Sequence, residues 1–136
     1  MENELDFVAV GDVVTEPFIS LKDASTHCKV DQSACELCVR FGDKIPYESA
    51  EIMRAVGNSA NAAVCAARLG LRTALITDIG NDDIGKGNIE ELHKNNVLTD
   101  FVSVHEGLPS NYHYVLWYEV ERTILIKHTE FPYQFP

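Results

Sequence analysis

The sequence has 136 residues, of which 46% are hydrophobic and 24% are charged, and these values fit one globular domain and exclude a disordered or collagen-like chain. Eleven lysines and arginines stand against 21 aspartates and glutamates, so the formal net charge at pH 7 is -10. This excess of negative charge argues against a protein that binds the phosphate backbone of nucleic acid or an anionic membrane surface.

The amino-terminal segment does not favour export. Residues 1–6 are acidic and polar, whereas a secretory signal needs a basic start and an apolar core, so we expect a cytoplasmic protein. The uncharged stretch at residues 55–67 is too short and too polar to cross a membrane. We therefore expect a soluble chain whose partners include neither nucleic acid nor a membrane.

The first part of the chain is predicted to be mostly β-structure. An apolar run at residues 5–10 ends in Gly11 and Asp12, which is typical of a buried central strand that delivers a polar loop at its carboxyl end. From residue 13 to about residue 52 the chain is rich in β-branched and aromatic residues and has no sustained helical period. We predict short strands at residues 18–21, 37–41 and 51–54.

The four cysteines are Cys28, Cys35, Cys38 and Cys65. In the reducing compartment that we expect, free thiols or metal ligands are favoured over disulfides. His27, Cys28 and the Cys35-x-x-Cys38 pair could form a compact zinc site, because zinc accepts mixed cysteine and histidine ligands. The segment after Cys35 lacks the glycine at which a zinc knuckle usually turns. We favour ordinary buried or loop thiols and keep the zinc site as the alternative.

A helix is predicted at residues 57–70. Asn58 and Ser59 at its start are residues that cap helices, its interior is rich in alanine, and Gly70 is a common stop signal. The small side chains suit close packing on a sheet.

A second strand and a second helix follow. Residues 73–80 predict a buried strand, and Asp82 or Asp83 is expected to cap a helix that runs to about Lys94. The order strand, helix, strand, helix predicts a parallel α/β sheet.

The last predicted element is an antiparallel hairpin, made by residues 111–118 and 123–128 and joined by residues 119–122. Because side chains alternate along a strand, one face would carry Tyr112, Tyr114, Leu116 and Tyr118, and the other would carry Asn111, His113, Val115 and Trp117. Both faces are partly apolar, so each is expected to pack against a partner.

Residues 80–87 match the Gly-x-x-x-x-Gly-Lys pattern of a phosphate-binding loop. Gly87, however, stands where serine or threonine should hold magnesium, and Asp82 and Asp83 would place two negative charges in a loop meant for phosphate. We therefore interpret this segment as a glycine-containing turn with an aspartate helix cap.

The start of the first helix is a candidate ligand site. A glycine at this position, Gly57, lets backbone amides approach a ligand closely, and the side chain of Asn61 offers both a donor and an acceptor. Asn58 and Ser59 could equally be simple caps, with Asn61 facing water, and the residues themselves leave both interpretations open.

Taken together, these segments resemble the ribokinase-like (PfkB) carbohydrate kinase family. The residues that carry the likeness are 10–12, 57–70 and 80–85. The last two segments, with residues 73–79 between them, look like the amino-terminal signature of that family in order and spacing, and the likeness spans nearly the whole chain.

The resemblance implies the amino-terminal portion of a Rossmann-like ribokinase fold, of class α/β, with a small antiparallel β lid. Residues 1–136 would form part of one kinase domain, with lid strands at about 13–54 and 111–128. Such kinases transfer the γ-phosphate of ATP to a hydroxyl of a sugar, a nucleoside or a related polyol, so ATP and Mg²⁺ are implied as cofactors.

The resemblance also implies a polyol pocket between the central sheet and the lid. Glu16 falls on an acidic position that binds substrate hydroxyls, where aspartate is usual, and Gly57 and Asn61 fall on substrate-contacting positions. Val56 replaces the first glycine of a common Gly-Gly pair, and valine allows a narrower range of backbone φ and ψ angles than glycine. The expected substrate-binding residues are Asp12, Glu16, Gly57, Asn58 and Asn61.

The catalytic and nucleotide-binding motifs of the family lie in its carboxyl-terminal half, and no Gly-x-Gly-Asp occurs in this sequence. The apolar end at residues 131–136 also suggests a cut chain. We therefore expect the amino-terminal half of a kinase, with no catalytic residue and no activity alone. The alternative is a non-catalytic binding or assembly module, which zinc bound by His27 and the cysteines could stabilise.

The tyrosine face of the hairpin predicts self-association. An exposed aromatic patch usually marks an interface, and a closed two-fold pair is the commonest way to bury a self-complementary patch. Lids of this family often pair in this way, so we expect a homodimer, unless residues 18–41 or further chain cover that face.

Overall fold

The computed structural model describes residues 4–31 and 33–133, and this part of the chain forms ten strands and two helices. In chain order they are β1 (Phe7–Val10), β2 (Val14–Leu21), β3 (Ser25–Cys28), β4 (Cys35–Cys38), β5 (Tyr47–Val56), α1 (Asn58–Arg68), β6 (Thr73–Gly80), α2 (Asp83–Lys94), β7 (Val97–Leu98), β8 (Val102–His105), β9 (Tyr114–Tyr118) and β10 (Glu121–Leu125). The chain divides into two compact units. The first contains the chain up to residue 16, residues 53–113 and the chain from residue 126 on, and the second contains residues 17–52 and 114–125.

The first unit is built on a parallel sheet centred on β6. β1 pairs with the first half of β6, from Phe7 opposite Thr73 to Val10 opposite Ile76. β7 pairs with the start of β6, and β8 pairs with its end, from Thr77 on. All three pairings are parallel, which confirms the predicted α/β class.

The prediction that β1 is a buried central strand is wrong for the described chain. β1 stands at one end of the strand order, and its residues alternate in exposure. Ala9 is buried in the core cluster, whereas Val8 is 41% and Val10 is 53% exposed. The period of two in a strand explains the pattern, because only one face of β1 meets the core.

The two helices agree with their predicted ranges. The buried residues of α1 are Ala60, Ala63 and Ala66, and their small side chains allow close packing on the sheet. The core cluster around them includes Val13, Leu75, Ile79, Leu92 and Val97. Among residues 4–31 and 33–133, neither helix has the length and apolar character needed to cross a membrane.

The second unit contains a sheet with the strand order β10–β9–β2–β5. β9 and β10 form the predicted antiparallel hairpin. Its turn consists of residues 119–120, whereas a connection of four residues, 119–122, was predicted. Glu119 has a positive φ of 53°, as two-residue hairpin turns require. β2 and β9 run parallel, with Phe18 opposite Val115, so the sheet is mixed. The second unit lies within the residues that the resemblance assigns to a lid, and that role stays a prediction.

The cysteine prediction is wrong for two of the four residues. Cys28 and Cys35 are directly opposite each other in the antiparallel β3–β4 pair and form a disulfide. Antiparallel pairing brings their side chains to the same face, a relation that the sequence spacing does not reveal. Cys38 is a half-buried free thiol, and Cys65 is an exposed free thiol. Two of the four ligands of the zinc alternative are therefore held in a disulfide, and the described part of the chain contains no group of three or more histidine, cysteine, aspartate or glutamate side chains placed to hold a metal.

Candidate functional site

A cavity of about 660 Å³ opens in the first unit along β1 and the loop that follows it. Its polar lining consists of Asp12, Glu16, Asn58, Ser59, His113 and His128, and Gly11 and Gly57 contribute backbone. Four of the five residues predicted to bind substrate therefore line one cavity. The fifth, Asn61, is exposed on α1 and is not among the lining residues, although its amide N–H donates to the Gly57 carbonyl at 2.8 Å.

A hydrogen bond joins the loop after β1 to the start of α1. The hydroxyl of Ser59 donates to the backbone carbonyl of Asp12 over 2.8 Å. Gly11 has φ of 141°, and a Cβ at this position would lie 2.9 Å from the Ser59 hydroxyl oxygen. Only glycine allows this close approach in that backbone conformation, so the glycine helps to place Asp12 at the cavity.

The start of α1 departs from the capping that the sequence predicts. The N-cap residue is Gly57, with φ of 108°, and neither Asn58 nor Ser59 caps the helix by its side chain. Both lie inside the helix, and Ser59 bonds to Asp12 instead. The first amide groups of a helix lack partners within it, so this uncapped helix start offers backbone N–H donors at the cavity.

The substitution of valine for the first family glycine causes no backbone conflict. The residue with a positive φ before Gly57 is Ala55, at 53°, and Val56 is not in that region. The amide of Ala55 donates to the side-chain oxygen of Asn88 at 2.9 Å, and this oxygen also accepts from the Thr15 hydroxyl at 2.7 Å. Asn88 lies on α2 and is fully buried, so its side chain connects α2 to the start of β2 and to the end of β5.

Both carboxylates at the cavity lie near an imidazole. Nδ1 of His113 is 3.4 Å from Oε1 of Glu16, and Nδ1 of His128 is 3.7 Å from Oδ2 of Asp12. Tyr133 donates its hydroxyl to Oδ1 of Asp12 at 3.2 Å, and burial together with the negative charge of Asp12 raises the pKa of that phenol. Sequence reasoning missed these three partners because each lies roughly a hundred residues away along the chain.

The segment at residues 80–87 has a packing role. A Cβ on Gly80 would collide with the carbonyl of Leu108, and one on Gly85 would collide with the carbonyl of Gly80. Asp82 caps α2 by accepting from the Gly85 amide at 2.8 Å, which confirms the predicted aspartate cap. These residues do not fit a nucleotide phosphate, because the loop is closed by its own contacts and carries two carboxylates.

The family model described as pfkB family carbohydrate kinase matches residues 25–131. The chain belongs to this family. Mouse ribokinase is 44% identical to it over 45 residues, a stretch that is 33% of this chain and 14% of the mouse protein. This confirms the sequence-based resemblance.

Solved structures of kinases share the fold of this pfkB family chain. A structure of Arabidopsis thaliana ribokinase complexed with ribose and ATP matches with a TM-score of 0.70 and 21% identity, over 90% of this chain and 36% of that one. A nucleoside kinase of Methanocaldococcus jannaschii matches with a TM-score of 0.67 and 15% identity, over 87% of this chain and 35% of that one. The chain thus spans little more than a third of the length of these two kinases.

Proposed function

We propose that the protein takes part in ATP-dependent phosphorylation of a hydroxyl on a sugar, a nucleoside or a related polyol, and that this chain supplies the substrate-binding and lid part. The observation that carries the proposal is that Asp12, Glu16, Gly57 and Asn58 line the same cavity. Carboxylate and amide oxygens accept hydrogen bonds from hydroxyl groups, and a site built in this way discriminates against analogues that lack them. Asn61 lies outside the cavity lining, and it stays in the proposed set because the family resemblance places it at a substrate-contacting position.

We propose that this chain binds the substrate and does not itself catalyse the phosphoryl transfer. Phosphoryl transfer depends on groups that position the γ-phosphate and stabilise its charge. By the family resemblance these groups lie in the carboxyl-terminal half, and no Gly-x-Gly-Asp occurs in this sequence. ATP, with Mg²⁺, would serve as the phosphoryl donor in the cytoplasm. We accordingly propose that this chain alone has no sugar-dependent ATPase activity.

The test of the site is a binding measurement with Glu16 variants. Titration calorimetry of the chain with D-ribose, D-fructose, fructose phosphate and adenosine is expected to detect one preferred ligand. Glu16→Ala should weaken its binding about tenfold or more, because a charge-assisted hydrogen bond to a hydroxyl is lost. Glu16→Asp, which restores the residue usual at this position by resemblance, should keep most of the affinity.

Glu90→Ala is the matched control, because Glu90 is an exposed carboxylate on α2 outside the cavity. It should leave ligand affinity unchanged. Equal affinities for Glu16→Ala and the unaltered chain, for every ligand bound, would show that the cavity is not the substrate site.

The proposal includes a homodimer through the β9–β10 hairpin. Tyr114 and Leu125 are opposite each other in the hairpin and are 45% and 52% exposed. Leu116 and Tyr118, farther along that face, are half-buried and line a second cavity together with Leu37 of β4. The surface available for pairing is therefore the Tyr114 end of the predicted patch.

A charge at this surface should separate the dimer. Tyr114→Glu is expected to shift the protein from dimer to monomer in analytical ultracentrifugation, because pairing would bury an uncompensated carboxylate. Val30→Glu places the same charge on an exposed loop residue of the second unit and should leave the dimer intact. A protein that is monomeric without substitution would overturn the dimer proposal.

A further inference from the structure

The buried imidazole of His113 contacts Glu16 through one of its two ring nitrogens. Nδ1 lies 3.4 Å from the Glu16 carboxylate, and the two side chains are 9% and 16% exposed. The other nitrogen, Nε2, is buried and has no hydrogen-bond partner among the described residues. A buried polar atom without a partner is unfavourable, so the contact at Nδ1 is the polar contact of this ring that the proposal uses.

Backbone pairing holds His113 and Glu16 side by side. The amide of His113 donates to the carbonyl of Thr15 at 3.1 Å, and the amide of Thr15 donates to the carbonyl of Asn111 at 3.3 Å. Thr15 directly precedes Glu16 in the chain. The position of the His113 ring relative to Glu16 is thus set by a parallel bridge of the first unit.

A second imidazole packs against the ring of His113. The ring of His128 meets it edge to face, with centroids 4.8 Å apart and planes at 82°. The side chain of Asn111 accepts a hydrogen bond from the amide of Thr129 at 2.8 Å, so the segment that carries His128 is also anchored. The His113 ring thus packs between Glu16 and His128, with Nδ1 on the Glu16 side.

The chemistry of the pair decides which ring nitrogen has to carry a hydrogen for the contact to become a hydrogen bond. An ionised carboxylate only accepts hydrogen bonds, so Nδ1 must carry hydrogen to bind Glu16. A glutamate side chain has one more rotatable bond than an aspartate and loses more entropy when it is ordered by a ligand. A donor that holds the carboxylate before the ligand arrives reduces this loss.

We propose that His113 is the positioning residue of Glu16 and that its Nδ1–H holds the carboxylate in the orientation that accepts ligand hydroxyls. This role rests on the proposed function, because it acts through Glu16 and needs a ligand with hydroxyl groups. It extends the site to a residue outside the predicted substrate-binding set.

Three substitutions separate the two ring nitrogens. The amide nitrogen of His113→Asn lies near the place of Nδ1, that of His113→Gln lies near the place of Nε2, and His113→Phe keeps the ring shape without either nitrogen. In calorimetric titrations with D-ribose, D-fructose and adenosine, His113→Asn should stay within about twofold of the original affinity, and the other two should bind about fivefold to tenfold more weakly. In a Glu16→Ala background, His113→Phe should have no further effect.

A ligand-free measurement tests the contact itself. In NMR spectra of histidine labelled at the ring nitrogens, His113 is expected to show a protonated Nδ1 whose resonance shifts in Glu16→Ala. A free chain with the proton on Nε2 only would overturn the proposal before any ligand is added. If His113→Phe fails to fold, as judged by circular dichroism, the comparison of His113→Asn with His113→Gln decides, and equal binding by these two overturns the proposal.

The outcomes separate this role from the proposed function. If Glu16→Ala weakens binding and His113→Phe does not, the positioning role is wrong and the substrate site stands. If no ligand of the panel binds the unaltered chain, or Glu16→Ala binds normally, both the site and the positioning role are overturned.

Discussion

Replacing Asp82 with alanine is expected to lower the free energy of unfolding by about 2 to 4 kcal/mol, since it removes a helix cap and leaves further polar groups unpaired. The carboxylate accepts from the Gly85 amide at 2.8 Å, from the Ser110 amide at 2.9 Å and from the Ser110 hydroxyl at 2.6 Å. It therefore joins the start of α2 to the segment before β9. Urea unfolding followed by circular dichroism measures the change.

Asp83→Ala is the control for charge, because Asp83 is adjacent to Asp82 and fully exposed, and its ion pair with Lys86 is long, at 3.8 Å. Its effect should be below about 0.5 kcal/mol. Equal losses for the two variants would show that the hydrogen bonds of Asp82 contribute little.

The contribution of Asp82 should also depend on pH. Burial raises the pKa of the Asp82 carboxyl, but the hydrogen bonds from Ser110 and Gly85 outweigh burial and leave the pKa below its ordinary value of 3.8. A carboxyl with a lowered pKa in the folded state stabilises the fold above the unfolded pKa, and this contribution is lost as the pH falls through the folded pKa. The difference between the unaltered chain and Asp82→Ala should therefore shrink below about pH 4.

Replacing Asn88 with alanine is expected to cost about 2 to 4 kcal/mol of unfolding free energy, because it opens a cavity and leaves the buried Ala55 amide without its acceptor. Asn88 and Thr15 are fully buried, and Ala55 is nearly so. The Asn88 oxygen also holds Ala55 in its left-handed conformation two residues before Gly57. Ligand affinity should fall together with stability, and both are measured on the same variant.

Asn81→Ala is the matched control, because Asn81 is an exposed asparagine whose side-chain amide donates to the Glu106 carboxylate at the surface. It should cost less than about 1 kcal/mol and leave ligand affinity unchanged. Thr15→Val removes only one of the two donors to Asn88 and should lie between the two variants. A stability for Asn88→Ala equal to that of Asn81→Ala would contradict the proposed role of the buried oxygen.

The elements with strong local signals were predictable. The alanine-rich segment with Gly70 behind it indicated α1, and Asp82 indicated the start of α2, because capping and periodicity act over a few residues. The short strands β3 and β8 were not predicted, since four residues of mixed character have no distinct period. β5, at Tyr47–Val56, is longer than the strand predicted at residues 51–54, and its first eight residues are exposed, so they carry no alternation of buried and exposed positions.

The candidate site was predictable only where the family motif lies in the sequence. Asp12, Glu16, Gly57 and Asn58 came from that resemblance, and the cavity brings them together. His113 and His128 carry no motif of their own, and their place at the cavity depends on pairing between segments about a hundred residues apart. Local patterns hold no information about such distant pairing.

The sequence by itself determined the α/β class, the approximate ranges of the two helices and the family, because helix signals, strand periodicity and a spaced motif are local properties of the chain. Only the tertiary structure decided that Cys28 and Cys35 meet across two strands, that Ser59 bonds to Asp12 and does not cap α1, and that an imidazole faces each carboxylate. Each of these contacts joins residues that strand register or helix packing brings together. Register and packing are set by burial of the whole core, so no short segment specifies them.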